Sequence, residues 1–405
     1  MKKHILVISQ YFYPEQFRIN DICNEWVKRG YKVTVITGIP NYPQGEYYEG
    51  YGVFKRRKEI YNGIEIIRIP LIPRGNNSIT LALNYLSFVI SGFFWMIFSR
   101  LRADYVFIFE VSPMTQALPG VWYSKKRKIP CYLYVTDLWP ENVEILAGIK
   151  NKQILNGIGL MVDYIYNKCD RIFTSSESFI KAINERGVEV EKLEFWPQYA
   201  EDYYKPVKKD QTSVIEIPDD GIFNIIFAGN IGVSQGLDIL PKVAKILKKT
   251  DSKVRFNIVG DGRFKEKLIK MIHEEDLSDM FNFIPKQPPT RIPEIMALCD
   301  ATLISLSKSK VFAITLPAKT QSCLACGLPI IVSADGEIQK VIKRAGAGVC
   351  SDAGNVEDLA GNIQKLVRMP KSDMRQMSEN GLRYYKQTFD KNKLLDRMDY
   401  WFGRK

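Results

Sequence analysis

Two patterns of apolar residues take turns along the chain. Short continuous apolar runs indicate strands that are buried on both faces of a parallel sheet. Between them, apolar residues recur at helical spacing, as in the segment that holds Ile19, Ile22 and Trp26. In the first half the predicted strands are 4–9, 32–37, 64–70, 104–110, 131–136 and 171–174. Strands that alternate with helices in this way predict a parallel α/β sheet covered on both faces.

The alternation stops at residues 197–221, which are polar, charged and proline-bearing, as a linker would be. It resumes beyond them with predicted strands at 223–229, 254–260, 301–306 and 329–334. The sequence therefore predicts an α/β protein with two Rossmann-like domains and a ligand cleft at the carboxyl ends of both sheets. The expected domains are 1–205 and 206–384, with a C-terminal helix at about 385–405 that packs back on the first domain.

Residues 78–98 have no charged side chain over 21 positions, which is long enough for a membrane span. The same segment contains Asn84 and Gly92, so a weak span, a buried core helix and a helix in the membrane interface all stay open. The positive charges near it are Arg74, Arg100, Arg102 and the runs KRRK (55–58) and KKRK (125–128). We expect peripheral attachment to an anionic bilayer, because the strand pattern continues on both sides of the segment.

The net charge of +12 suits an acidic partner such as a sugar nucleotide or an anionic lipid. No nucleic-acid-binding motif is present, so nucleic acid is not an expected partner. Seven cysteines without a signal peptide indicate reduced thiols in a cytosolic protein. The pair Cys323 and Cys326 has no second pair for zinc, and we expect it to pack in a core. With two histidines and no D-x-D carboxylate pair, no metal site is expected.

The stretch FAGNIGVSQGLD (227–238) has two interpretations. G-x-S-x-G within it marks the nucleophile turn of an α/β-hydrolase, with Ser234, Asp261 and His273 as a formal triad. However, Ser234 comes five residues after the predicted strand end, which is too far for that turn. A strand, a glycine-rich turn and a helix start also make a phosphate cradle. Because NIVGDGRFKEKL (257–268) repeats this design, the cradle is the favoured interpretation.

The chain resembles a retaining glycosyltransferase of family 4 with the GT-B architecture of two Rossmann-like domains. More narrowly, it is similar to bacterial O-antigen and capsule enzymes that include N-acetylfucosaminyltransferases. The stretches that carry the resemblance are YFYPEQFRIND (11–21), RGYKVTVITGIPNYPQGEYYEGY (29–51), SP (112–113), VTDLWPENV (135–143), WPQYAE (196–201), GNIGVSQGL (229–237), GDG (260–262) and LPAKTQSCLACGLPII (316–331).

The resemblance implies that the second domain binds the donor. The implied donor-binding residues are Gly229, Asn230, Gly232, Gln235, Gly260, Gly262, Arg263 and Lys319. Much of the wider family has arginine in place of Asn230 and lysine in place of Gln235, so the positive charge that the leaving diphosphate needs must come from elsewhere. The candidates are Lys319, Arg263 and Arg18, with Lys319 preferred. Two glutamates of the wider family are replaced by Ile314 and Ser322, which leaves nucleotide choice open.

Catalytic candidates in the first domain follow the strand 131–136, at its carboxyl end, where cleft residues gather. Asp137 is expected to orient or deprotonate the acceptor hydroxyl, or to stabilise positive charge on the donor sugar, with Glu141 beside it. The alternative role for Asp137 is a helix N-cap. Lys319 completes the catalytic set. Acceptor binding is expected from Arg18, Asn41, Tyr42 and Glu110.

The implied function is transfer of a sugar, such as N-acetylfucosamine, from a nucleoside-diphosphate donor, UDP by preference. The implied acceptor is a lipid-linked saccharide of the undecaprenyl-diphosphate type. The resemblance implies retention at the anomeric carbon and no metal or other cofactor. It also implies a place in O-antigen, lipopolysaccharide or capsule biosynthesis, on the inner face of the bacterial cell membrane. A two-domain sugar-nucleotide epimerase, and a non-catalytic membrane-bound partner of another transferase, are the remaining alternatives.

Overall fold

The computed structural model describes residues 2–75, 77–146, 148–212 and 216–403. The chain forms two compact units, Met1–Trp196 and Pro197–Lys405. Part of the expected linker (213–215) and the last two positions of the expected C-terminal helix (404 and 405) lie outside the described residues.

The first unit contains a sheet of eight strands. These are β1 (His4–Ile8), β2 (Lys32–Thr37), β3 (Lys58–Tyr61), β4 (Ile64–Arg68), β5 (Tyr105–Glu110), β6 (Cys131–Val135), β7 (Arg171–Thr174) and β8 (Leu193–Phe195). Their order is β3-β4-β2-β1-β5-β6-β7-β8. All neighbours are parallel except the β3–β4 pair, and β1 is paired on both sides, with Leu6 opposite Thr34 and Val106. Every residue of β1, β5 and β6 is buried, as continuous apolar runs predict.

Six helices connect these strands: α1 (Arg18–Lys28), α2 (Ser78–Phe98), α3 (Ala117–Arg127), α4 (Glu141–Leu146), α5 (Lys152–Lys168) and α6 (Glu177–Asn184). Asn77 caps α2 by accepting a hydrogen bond from the Thr80 backbone N–H at 2.8 Å. The buried residues of α2, Asn84, Phe88, Gly92 and Met96, recur every four positions and therefore line one face. At Gly92 that face meets α3 closely, since a Cβ there would lie 2.3 Å from a Pro119 side-chain carbon.

The second unit contains a six-stranded, fully parallel sheet: β9 (Phe223–Ala228), β10 (Val254–Val259), β11 (Phe281–Ile284), β12 (Ala301–Ser305), β13 (Ile330–Ser333) and β14 (Gly348–Ser351). Its order is β11-β10-β9-β12-β13-β14. The helices are α7 (Leu240–Lys249), α8 (Lys265–Glu274), α9 (Ile292–Met296), α10 (Lys310–Ile314), α11 (Lys319–Cys326), α12 (Glu337–Ala345), α13 (Val356–Val367), α14 (Lys371–Thr388) and α15 (Lys391–Trp401). Phe227, Leu240 and Phe256 belong to its buried core.

The structure confirms the predicted strands to within two residues at each end and adds four that the pattern did not predict. The added strands β3, β8, β11 and β14 are three or four residues long. Each has partly exposed positions, so none contains a long continuous apolar run. The prediction of one C-terminal helix at about 385–405 is wrong in one respect, because α14 ends at Thr388 and Asp390 caps a separate α15. That this segment packs on the first domain stays a prediction.

Candidate active site

Two glycine loops lie side by side at the carboxyl ends of β9 and β10. The Gly229 N–H donates to the Val259 carbonyl at 3.0 Å, and the Ile231 N–H donates to the Asp261 carbonyl at 2.8 Å. The Phe264 N–H closes the arrangement by donating to the Ile231 carbonyl at 3.0 Å. Backbone groups therefore hold the predicted phosphate loop against the GDG turn.

Glycine is required at Gly260 for two reasons. Its φ of +141° is unfavourable for residues with a side chain. A Cβ there would also lie 2.0 Å from the Gly229 carbonyl oxygen. At Gly262 a Cβ would lie 2.3 Å from the Ile231 oxygen. These two glycines let the GDG turn pack directly against the backbone of the loop that begins at Gly229.

Lys319 reaches this loop from a different part of the sequence. It is the first residue of α11, and its Nζ donates to Gln235 Oε1 at 2.7 Å. The same ammonium lies 4.1 Å from the centroid of the Phe227 ring, within the range of a cation–π contact. A Cβ on Gly229 would be 3.3 Å from Nζ. The structure thus brings Lys319, Gln235 and Gly229 together.

The electrostatics of Lys319 suit an anion. A positive charge is unfavourable near a helix N-terminus by about 0.3–1 kcal/mol, so its placement does not serve helix stability. Burial lowers the pKa of Lys319 to about 8. Removal from water therefore costs free energy that the Phe227 ring and Gln235 only partly offset. A diphosphate beside Nζ would offset the rest of this desolvation cost.

The other predicted donor residues are placed less specifically. Asn230 and Arg263 are exposed, and Arg263 has no polar partner within the described part of the chain. Gly232 lies between Asn230 and a 3-10 turn at Val233–Gln235. The helix after the loop, α7, begins only at Leu240, preceded by a second 3-10 turn at Leu237–Ile239. Its first N–H groups are therefore not those of the loop itself.

Ser234 is held as a structural residue. Its carbonyl accepts from the Ser307 N–H at 2.9 Å and from the Ser307 hydroxyl at 3.2 Å. No hydrogen bond joins Ser234, Asp261 and His273 in the residues that the structure describes, and His273 is exposed on α8. The geometry does not favour a hydrolase triad here.

In the first unit, carboxylates gather where β5 and β6 end. Asp137 Oδ2 accepts from the Ser112 N–H at 2.8 Å, which ties the loop after β6 to the loop after β5. The Asp137 N–H in turn faces Glu110 Oε2 at 3.3 Å. The alternative of Asp137 as a helix N-cap is not supported, because α4 begins four residues later, at Glu141, and the Asp137 carboxylate bonds to another strand's loop.

Glu110 is fully buried, and its Oε1 has no hydrogen-bond partner among the described residues. Burial, followed by the neighbouring charge of Asp137, raises the pKa of Glu110 well above its usual value. We therefore expect Glu110 to stay protonated to a higher pH than an ordinary glutamate, as buried carboxyls do. One oxygen of Glu141 and the Tyr166 hydroxyl are likewise buried without partners in the described residues. Unsatisfied polar atoms of this kind mark candidate functional positions.

The predicted acceptor residues have different surroundings. Asn41 is 1% exposed, and its side chain donates to the Ile39 carbonyl and accepts from the Arg74 N–H. It therefore shapes the loop after β2, and its direct contact with an acceptor stays a prediction. Tyr42 is partly exposed, whereas Arg18 is the first residue of α1 and its charge acts on the buried Tyr134 hydroxyl.

Sequence reasoning missed three residues that build these sites. Phe227 supplies the ring beneath Lys319, Ser112 anchors Asp137, and Ser307 fixes the Ser234 carbonyl. Only Phe227 had a sequence signal, as an aromatic residue two positions before the first loop glycine. Ser112 acts through its backbone N–H and Ser307 mainly through its own, and a residue type does not encode such contacts.

Within the described residues, no three His, Cys, Asp or Glu side chains are grouped as a metal site requires. That the protein needs no metal stays a prediction. Cys323 and Cys326 are free and buried, as expected of core residues. Cys323 Sγ lies 3.5 Å from the Thr302 hydroxyl.

Residues 208–384 match the protein family described as "Glycosyl transferases group 1". The match contains both glycine loops and Lys319. The match covers less than half of the chain. The alternatives of an epimerase and a hydrolase are not favoured by this result.

The chain is also similar along nearly its whole length to a protein of Escherichia coli strain K12. That protein is named as the colanic acid biosynthesis glycosyl transferase WcaI. The two are 26% identical over 411 residues, which cover 96% of this chain and 97% of the relative.

Two solved structures share the fold. Sucrose-phosphate synthase of Thermosynechococcus elongatus has a TM-score of 0.78 at 15% identity, over 100% of this chain and 99% of that one. Anabaena HepE, solved with UDP and glucose, has a TM-score of 0.72 at 15% identity, over the full length of both chains. These likenesses confirm the expected GT-B fold with two Rossmann-like domains.

Proposed function

We propose that the protein transfers a sugar from a UDP-linked donor to a lipid-linked saccharide during the synthesis of a bacterial surface polysaccharide. The observation that carries the proposal is Lys319, whose ammonium reaches a glycine loop inside the group 1 glycosyl transferase region. The relative named for colanic acid biosynthesis supports the polysaccharide assignment, and a fold neighbour solved with UDP supports the nucleotide.

The donor diphosphate would lie against the Gly229 loop. Lys319 would stabilise the charge that develops when the bond between sugar and phosphate breaks, which is how preorganised positive groups act on a leaving group. Lys319 thus takes the place of the cations that the wider family has at Asn230 and Gln235. Gln235 holds the ammonium in position through its side-chain oxygen.

Asp137 would act on the acceptor hydroxyl or on the positive charge of the donor sugar. Its carboxylate is held by the Ser112 N–H and lies beside the buried Glu110. Because the pKa of the buried Glu110 is raised, Glu110 is the weaker candidate for a charged catalytic carboxylate. We propose retention at the anomeric carbon, no metal requirement, and an N-acetylated deoxyhexose such as N-acetylfucosamine as the sugar.

We further propose that the protein lies on the inner face of the cell membrane through α2. This helix is long and apolar enough to cross a membrane by length and composition alone, yet one of its faces packs on its own unit. Its exposed apolar side chains are Ile79, Leu83, Leu86, Ile90, Phe93, Phe94, Ile97 and Phe98. At its C-terminal end, Lys126 donates to the Ile97 carbonyl at 2.6 Å, so positive charge borders the apolar face. An apolar face with a basic border suits an interfacial helix.

The test is a thermal-shift screen against UDP, GDP, ADP and their sugars, followed by transfer of radiolabelled sugar to lipid extracts. A ligand that binds only the folded state raises the melting temperature. We expect UDP and one UDP-sugar to raise it and the label to move into the lipid fraction. Conversion of the sugar nucleotide without any acceptor would indicate an epimerase and contradict the proposal. A flat melting temperature across all nucleotides would also contradict it.

A further inference from the structure

Arg74 occupies an unusual position at the start of α2. It lies four residues before the first residue of that helix, and it is partly buried. Its backbone N–H donates to Asn41 Oδ1 at 2.9 Å, which fixes its main chain to the loop after β2. Its guanidinium carbon lies 5.3 Å from the centroid of the Tyr42 ring. One contact therefore fixes the main chain of Arg74, and the other places its side chain against an aromatic ring.

No carboxylate pairs with this guanidinium in the part of the chain that the structure describes. Other arginines of the same unit do have such partners: Arg68 pairs with Glu59 at 2.7 Å and Arg186 with Asp163 at 2.7 Å. A partly buried charge usually has a partner, because burial without one costs free energy. Within the described residues, the Arg74 guanidinium has an aromatic ring on one side and no carboxylate partner.

The hydroxyl of a buried tyrosine also lies near Arg74. Tyr11 is 2% exposed, and its ring lies 5.6 Å from that of Tyr42. Burial raises the pKa of Tyr11, and both the charge of Arg74 and a side-chain hydrogen bond with Arg74 oppose that rise. The Tyr11 hydroxyl therefore lies beside the Arg74 guanidinium, and together the two groups form a donor set for an anionic oxygen.

The surroundings of Arg74 indicate which anion fits. On one side is Tyr85, whose ring lies 6.4 Å from that of Trp139, two positions after Asp137. The charges of both Arg74 and Asp137 act on Tyr85. On the other side, the exposed apolar face of α2 begins at Ile79, five residues further along the chain. A ligand that contacts both Asp137 and the apolar face of α2 would need a sugar hydroxyl near Asp137 and an apolar chain along α2. Its phosphate would lie between them.

We infer that Arg74, with Tyr11 and Tyr42, binds the phosphate group that joins lipid to saccharide in the acceptor. This inference rests on the proposed function, because it assigns a residue to that function's acceptor. The guanidinium suits the site, since its planar set of N–H groups can donate two parallel hydrogen bonds to a phosphate. Arg74 would hold the acceptor's sugar at a fixed distance from its lipid, and so act as a positioning residue rather than a catalytic one.

The experiment measures binding of farnesyl diphosphate, a short and water-soluble polyprenyl diphosphate, by isothermal titration calorimetry on the full-length protein. Dodecyl maltoside, which has an apolar chain and a neutral sugar head, is the phosphate-free comparison. The variants are Arg74→Gln and Arg74→Lys, with Arg100→Gln as the matched control, since Arg100 is an exposed arginine just past the other end of α2. We expect Arg74→Gln to weaken farnesyl diphosphate binding at least tenfold and Arg74→Lys about threefold, because lysine lacks the planar fork. Arg100→Gln should stay within twofold of wild type.

A second arm separates the acceptor phosphate from the bulk membrane. Sedimentation with phosphatidylglycerol vesicles should give Arg74→Gln and Arg100→Gln the same bound fraction. Arg74→Gln could instead weaken vesicle binding by the same factor as it weakens farnesyl diphosphate binding. The arginine would then bind bulk anionic lipid, and the inference would be overturned. Equal farnesyl diphosphate affinity for both Gln variants, or wild-type binding no tighter than that of dodecyl maltoside, would also overturn it.

Stability and donor binding complete the test. Thermal melting without ligand shows whether Arg74→Gln is folded. If it melts well below wild type, the farnesyl diphosphate affinity of Arg74→Lys, compared with that of Arg100→Gln, decides the question. UDP affinity should be unchanged in both Arg74 variants. UDP binding by the wild type tests the proposed function independently. If the wild type did not bind UDP, that result would count against the proposed function and not against the phosphate site.

Discussion

The carboxyl ends of the two sheets have opposite chemistry. In the second unit, the loop after β9 offers backbone groups and a single ammonium, that of Lys319. In the first unit, the loops after β5 and β6 place Glu110 and Asp137 in contact, with an unsatisfied oxygen of Glu141 close in sequence. The strands that carry these loops are parallel in both units, so strand direction does not set this difference.

The comparison shows that the loops determine what each sheet edge can bind. A parallel α/β sheet directs its ligand to the carboxyl ends of its strands. The residues that follow each strand then determine whether a negatively or a positively charged ligand is favoured. A cation with glycine loops suits a diphosphate, and a pair of carboxyls suits a hydroxyl or a developing positive charge.

The largest expected effect comes from removing the cation. Lys319→Gln should lower kcat by at least about 100-fold, as loss of one preorganised group does at other active sites. The matched control is Lys310→Gln, because Lys310 is also the first residue of a helix, is exposed, and has no polar partner in the described residues. It should stay within twofold of wild type in a steady-state transfer assay. Equal activity of the two variants would remove Lys319 from the mechanism.

Asp137→Asn tests the other edge. The amide oxygen can still accept from the Ser112 N–H, so the fold should persist while the charge is lost. We expect turnover to fall about 100-fold, within the range for a general acid–base group, with melting within a few degrees of wild type. Asp170→Asn is the control, because Asp170 Oδ2 accepts from the Cys131 N–H at the same 2.8 Å, at the opposite end of β6. Near-normal turnover of Asp137→Asn would exclude a role for its charge.

A backbone test asks whether the two glycine loops must touch. Gly260→Ala places a Cβ 2.0 Å from the Gly229 oxygen at φ +141°. Gly354→Ala is the control, with φ +79° and no atom within 4 Å of its Cβ. A residue with a side chain at positive φ costs about 1–2 kcal/mol, so both variants should melt earlier than wild type. Gly260→Ala should melt several degrees below Gly354→Ala and also lose UDP affinity, and equal melting would show that the loops can separate freely.

The smallest predicted effect is a pH dependence. The pKa of Lys319 is lowered from its usual 10.5 to about 8, so the free protein loses this charge as pH rises through 8. UDP affinity should therefore fall about fivefold or more between pH 7 and pH 9.5, because few of the Lys319 side chains stay charged at pH 9.5 and the neutral amine loses the roughly tenfold affinity that the charge supplies. Lys319→Arg keeps its charge over this range and should show a change of less than twofold. A similar decline in both proteins would assign the titration to another group.

The sequence predicted the architecture well because continuous apolar runs such as 131–136 leave few alternatives to buried parallel strands. It predicted the glycine loops for a similar reason, since close backbone contact at Gly260 requires glycine. It did not predict the short edge strands, which have no continuous apolar run. In β3 and β11 most residues are only partly buried, so these strands do not need continuous apolar sequence.

The contacts of the candidate sites were harder to predict. Lys319 was preferred among three cations, but its contact with Gln235, 84 positions earlier in the chain, depends on tertiary packing. The support of Asp137 by the Ser112 N–H is a backbone contact across two loops. Arg74 was visible only as a charge beside an apolar segment. Its ring contact and missing counterion emerge from tertiary structure alone.

The most direct test measures UDP affinity by calorimetry for wild type, Lys319→Gln and Asp137→Asn side by side at pH 7. The two sheet edges predict different results, because only Lys319 reaches the proposed diphosphate site. We expect Lys319→Gln to bind UDP at least tenfold more weakly and Asp137→Asn to match wild type. If Lys319→Gln bound UDP as tightly as wild type, or Asp137→Asn weakened binding by the same factor, the assignment of the nucleotide to the Lys319 loop would be contradicted.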